Sequence, residues 1–167
     1  MKDTLIIGYG NIDRQDDGVA WHILAEIAKL YGLDEFITEN ESFREESWLH
    51  LMFELQLMPE MAELIANYER VCFVDAHTGN IDGDLSFNPI QPEYKPSAFT
   101  HHMSPETCLS LALTLYQKEP EARLASVRGY EFEFGDSLSS KTTELAGLCV
   151  KEINAWFISC HDKPSNN

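Results

Sequence analysis

Three carboxylates crowd one short loop. In LIIGYGNIDRQDDG, residues 5–18, an apolar run broken by Gly8 and Gly10 leads into Asp13, Asp16 and Asp17. A fourth acid, Asp75, ends a second apolar run, RVCFVD, and two adjacent histidines, His101 and His102, stand in a proline-marked loop ahead of a leucine-bearing stretch. Carboxylate oxygens and an imidazole nitrogen are donors for a divalent cation, and two of the first with one of the second make a three-ligand set with open positions. Such a set suits a metal ion that arrives together with another ligand. Each residue also has an ordinary role: an aspartate at a helix start caps it, Asp75 is a turn residue, and His101 is a surface histidine.

A phosphate is the other common occupant of a strand–glycine–helix loop, and here the residues oppose it. The dinucleotide fingerprint requires GxGxxG, whereas the third position is Asp13. No GK[ST] triplet occurs anywhere in the chain. Asp16 and Asp17 would stand at the helix N-terminus, where fixed anions are stabilised and a phosphate is repelled. One of the two is expected to cap the helix, Asp16 by preference, which leaves Asp17 to point into the crevice above the strand.

The elements that must position these groups follow from apolar patterning. Thr4–Tyr9 is a continuous run, as expected for a strand covered on both faces. From about Asp16 a helix follows, with Ala20, Ile23, Leu24, Ile27 and Leu30 or Tyr31 on one stripe and Gly32 placed to stop it. A short strand is expected at Glu35–Glu39, then helix from Arg44 to Tyr68 with a break at Pro59. Arg70–Asp75 reads as a second buried strand, Leu85–Ile90 as a short one, and Pro89, Pro92 and Pro96 mark an extended loop. Ser104-Pro105 suits the cap and first position of the next helix, which carries Leu109, Leu111, Leu113 and Leu115. Ala122–Phe134 is a strand region and Ser137–Ile158 a closing helix. Strands alternating with helices predict a three-layer α/β/α sandwich with a twisted, mostly parallel sheet of about five strands, the first strand and RVCFVD adjacent and interior. In such a sheet ligands bind beyond the carboxyl ends of the strands, which brings Asp17, Asp75 and His101 or His102 to one edge.

Size and charge narrow the function further. With 167 residues, 44% of them hydrophobic, one domain over residues 1–160 with a polar tail at 161–167 is expected. A formal charge of -16 sets the chain's own field against nucleic acid and anionic membranes. The N-terminus carries neither a basic region nor a long apolar one, so a cytoplasmic protein is expected. Cys72, Cys108, Cys149 and Cys160 form no CxxC pair and read as reduced, with Cys72 and Cys149 in apolar runs.

Several stretches together resemble one family. GYGNIDRQDDG, residues 8–18, resembles the GxGN(x)nDDG signature of the hydrogenase maturation proteases, endopeptidases that trim the C-terminus of the large subunit of nickel-iron hydrogenases. Val74-Asp75-Ala76 resembles the end of that family's central strand, Thr100-His101-His102-Met103 its Thr-His motif, and EFEFGDSLSS, residues 131–140, its late Gly, then Leu-Ser, before the final helix. The matches fall in the family's order across nearly the whole chain. Two departures stand out: Glu39-Asn40-Glu41-Ser42 replaces the family's Asp-Gly-Gly-Thr stretch, and Ala20 stands where a second glycine often follows DDG.

The resemblance implies a nickel-dependent endopeptidase whose metal site is Asp17, Asp75 and His101, with His101 preferred over His102 because it directly follows the threonine. It implies that the nickel is recognised in the substrate, a hydrogenase large-subunit precursor, so that cleavage follows metal insertion. No serine or cysteine nucleophile is implied; a water would attack the scissile carbonyl. A monomer acting on a protein partner is expected, with no nucleic acid or membrane. The alternatives are a non-catalytic nickel-binding or chaperone-like paralogue and, from another class, a small-molecule enzyme on a Rossmann-like core.

Overall fold

The computed structural model describes residues 4–33, 48–95 and 103–159. Its centre is Thr4–Tyr9 (β1) and Arg70–His77 (β3), the two most continuous apolar runs, which lie side by side with parallel register. Leu49–Glu54 (β2) adds to the outer side of β1, and Glu121–Arg128 (β5) to the other side of β3, both parallel. Leu85–Ile90 (β4) closes the far edge antiparallel to β5, giving the order β2-β1-β3-β5-β4. The expected five-stranded, mostly parallel sheet with β1 and β3 adjacent and interior is therefore present.

Both faces are covered, which is why β1 and β3 carry no polar alternation. Val19–Leu30 (α1) and Ser140–Ile158 (α4) pack Ile23, Leu24, Ile27 and Ile153 onto Ile6, Cys72 and Val74. On the opposite face Met61–Ile65 (α2) and Pro105–Tyr116 (α3) bring Met61, Ile65 and Leu109 against Leu5, Ile7 and Phe73. Cys72, Cys108 and Cys149 are buried free thiols, and burial holds the last two at about 12. Among the described residues no helix is long and apolar enough to cross a membrane.

The largest departure from expectation is at residues 44–68. Instead of a helix, Leu49–Glu54 is a strand, and the helix after Pro59 is confined to Met61–Ile65. The apolar residues of WLHLMFELQLM satisfy both periods; pairing with β1 selects the extended one. Leu49, Leu51 and Phe53 then face the α1–α4 core, while Met52 faces the other and buried His50 hydrogen-bonds the Tyr68 hydroxyl. Smaller corrections concern boundaries. A 3-10 turn at Gln15–Gly18 precedes α1, β3 runs two residues past Asp75, β5 stops at Arg128, and α4 starts at Ser140 behind its cap Ser139. The expected strand at Glu35–Glu39, Cys160 and the tail at 161–167 lie outside the described residues.

Candidate functional site

At the carboxyl ends of β1, β2 and β3 lies a cleft of about 490 Å³, walled by Gly10 and Asp17 of the loop after β1, Leu57 after β2, Asp75 of β3, and Ser104 and Pro105 at the start of α3. This volume is in the range of small-ligand sites. The structure thus brings Asp17 and Asp75 together at the sheet edge. His101 and His102 lie outside the described residues; Met103, which follows them, lines the same cleft. Asp13 is exposed and is not part of the wall.

The two carboxylates differ in surroundings. Asp17 is half-buried, and its Oδ2 accepts the Asn11 N–H at 3.1 Å, a bond that fixes the carboxylate to its own loop. Asp75 sits deeper. Burial pushes its carboxyl up to about 7, against the lowering effect of hydrogen bonds from the Tyr9 hydroxyl and the Ala76 N–H, and the Asp17 charge adds to the rise. The partner Tyr9 comes from the register: Gly8 pairs with Val74, which sets Tyr9 and Asp75 next to each other as β1 ends. Two carboxyl groups in one crevice, one of them retaining its proton near neutrality because burial disfavours its charge, are what a divalent cation relieves, so the donor chemistry fits a metal ion. Among the described residues no group of three His, Cys, Asp or Glu side chains is placed to hold one.

Asp16 does not cap α1, contrary to expectation. The residue preceding α1 is Gly18, with no side-chain cap, and Asp16 turns the other way into the protein, fully buried. Its Oδ2 accepts from the Tyr130 N–H at 2.8 Å, the Glu131 N–H at 3.0 Å, Ser139 Oγ at 2.7 Å and Thr142 Oγ1 at 2.8 Å, and its Oδ1 from the Ser139 N–H at 2.7 Å. Burial alone would raise this carboxyl, but the donors outweigh it and hold it below the usual carboxylate range. Backbone bonds complete the attachment: Gln15 N–H to the Gly135 carbonyl at 2.7 Å, Asp16 N–H to the Glu131 carbonyl at 3.0 Å, and Gly135 N–H to the Asp13 carbonyl at 2.9 Å. The segment EFEFGDSLSS is thus a strap that sets the shape of the acidic loop, and Ser139 and Thr142 were not legible as its anchors.

Gly10 shows how tight the loop is. Its φ is +142°, and a Cβ there would lie 2.1 Å from the Asp17 carbonyl oxygen. Gly10→Ala is expected to cost about 1–3 kcal/mol and to shift the amide signals of Asn11 and Asp17. Urea denaturation and amide NMR check this; an unchanged midpoint with unchanged signals would contradict the close approach. Ala20, at the family's glycine position, is accommodated: it is fully buried, and its Cβ lies 3.1 Å from where a Cβ on Gly8 would stand.

A parallel sheet between paired helices, with two aspartates facing one cleft at its carboxyl edge, is the architecture against which known proteins can be compared. The fold is that of solved hydrogenase maturation endopeptidases. The hydrogenase maturating endopeptidase HybD from E. coli superposes with a TM-score of 0.66 at 17% identity, covering 95% of this chain and 93% of that one. The hydrogenase 2 maturation peptidase from Thaumarchaeota archaeon SCGC_AB-539-E09 gives 0.62 at 16% identity over 93% of this chain and 97% of its own. The [NiFe] hydrogenase maturation protease HycI from Thermococcus kodakarensis KOD1 gives 0.60 at 20% identity over 93% and 92%. At these identities the likeness is one of fold. No protein-family model and no curated protein matches the sequence.

Proposed function

We propose that this chain is a hydrogenase maturation endopeptidase that removes the C-terminal extension of a nickel-iron hydrogenase large-subunit precursor after nickel insertion. The observation that carries this is the pairing of Asp17 and Asp75 in one cleft at the carboxyl edge of a sheet with the fold of such endopeptidases. Asp17, Asp75 and His101 are the residues that would hold the nickel presented by the substrate. When bound, that ion would polarise the scissile carbonyl and act as a template. Asp75, bonded by the Tyr9 hydroxyl and the Ala76 N–H deeper in the cleft, would supply one anionic donor. Asp17, fixed by Asn11, supplies the second anionic donor.

Incubation of the purified chain with nickel-loaded precursor tests this by intact mass. The expected result is loss of a C-terminal fragment with wild type and none with Asp17→Asn or Asp75→Asn. Stable association without any loss of mass would overturn the peptidase assignment in favour of a nickel-binding or chaperone-like role. The same cleavage with metal-free precursor would overturn the dependence on nickel.

A further inference from the structure

Arg14 is a cation in an acidic loop that pairs with none of its acids. It stands beside Asp13 and within three residues of Asp16 and Asp17, yet among the described residues no ion pair involves it. The backbone explains this. Arg14 N–H donates to the Asn11 carbonyl at 3.2 Å, the Arg14 carbonyl accepts from Asp17 N–H at 3.1 Å, and Arg14 bridges Gly135 in parallel pairing. Asp16 is turned into the interior and Asp17 is held by the Asn11 N–H. The side chain of Arg14 is instead exposed and lines the cleft, and among the described residues it is the one basic side chain that does so.

Among the described residues Lys29, Arg70, Lys95 and Arg128 have a carboxylate partner and Lys118, Arg123, Lys141 and Lys151 do not, so what sets Arg14 apart is its place in the cleft wall, in a chain with 28 acidic and 12 basic residues. A guanidinium left unpaired at the wall of a cleft is available to a planar anion, since it offers a fork of donors that matches a carboxylate.

We propose that Arg14 is the specificity residue of the cleft and binds a carboxylate of the peptide being cut, supplied either by its free C-terminus or by an acidic side chain. This rests on the peptidase reading for the identity of the peptide, but the contact itself is a binding event that can be measured without cleavage. Arg14 would counter the repulsion that a charge of -16 imposes on any anionic segment entering between Asp17 and Asp75.

The test uses the full chain and synthetic peptides copying the precursor's C-terminal extension in three forms: free acid, C-terminal amide, and with every acidic side chain replaced by its amide. Fluorescence anisotropy measures each against wild type, Arg14→Ala and Arg14→Lys. Arg14→Ala is expected to weaken the free-acid peptide about tenfold and to leave unchanged the one form that lacks the recognised carboxylate, with partial recovery in Arg14→Lys. The insensitive form identifies the source of the carboxylate. With precursor, Arg14→Ala is expected to raise KM and leave kcat unchanged. Equal weakening of all three peptides, no weakening of any, or no binding by wild type would overturn the assignment. Carboxylate-selective binding through Arg14 by a wild-type chain that cuts nothing would leave it standing while the peptidase reading falls.

Discussion

Asp16→Asn is expected to lower the stability of the fold by about 3–5 kcal/mol, whereas Asp17→Asn, one residue on, is expected to cost about 1 kcal/mol or less and to stop cleavage. The asymmetry follows from what each carboxylate holds. Asp16 accepts five hydrogen bonds in a fully buried site, and an amide in its place presents donors to donors. Asp17 accepts one, from Asn11, at the wall of an open cleft. A loss of 3–5 kcal/mol approaches the whole stability of a marginal domain, roughly 5–15 kcal/mol, so Asp16→Asn is expected to express poorly. Urea midpoints of the two variants decide it: equal losses would mean that Asp17 also is a structural anchor.

The second large effect concerns Asp75 and runs against the usual behaviour of a carboxylate. Its folded value of about 7 lies above the ordinary value of 3.8, so the folded state binds the extra proton between the two. Stability from this group is therefore fully present below the ordinary value, declines as pH rises through that window, and is absent above about 7. Asp75→Asn removes the slope. The variant is expected to be more stable than wild type by a few kcal/mol at about pH 8, to differ little near pH 4, and to lose cleavage by at least about a hundredfold. Asp16 has the opposite sign: its folded value is lowered, so its contribution is present above the ordinary value and lost as pH falls through the folded one. Denaturation midpoints from about pH 2 to about pH 8 separate the two. A wild type whose stability keeps rising between about pH 5 and pH 8 with no reduction in slope relative to Asp75→Asn would show that Asp75 is not desolvated.

The parts of the molecule that were legible in the sequence are those whose signal is local. β1 and β3 are apolar throughout because helices cover both faces, and β4 and the cap Ser104-Pro105 announce themselves through turn and capping residues. The meeting of Asp17 and Asp75 followed from the rule that loops at the carboxyl ends of parallel strands converge. What failed was decided at a distance. Leu49–Glu54 is extended because β1 offers it a partner, a fact absent from WLHLMFE itself. Asp16 looked like a cap because the groups that claim it, from Tyr130 to Thr142, are more than a hundred residues away. Tyr9 and Arg14 were overlooked at the cleft because the first reads as the end of a strand and the second as a charge among opposite charges.

That distance also governs when the acidic loop can exist. Residues 10–18 leave the ribosome before residues 130–142, on whose contacts their shape depends, a sequence separation of up to 126. Contacts of such span form late, because the intervening chain must be synthesised and its loop closed before they are repaid. A nascent chain that has completed β3 already carries Asp75 on that strand and Asp17 in the loop after the neighbouring β1, without the strap that shapes that loop. The competence of the cleft therefore arrives with residues 130–142, in the same event that seats α4 beside α1 on the sheet.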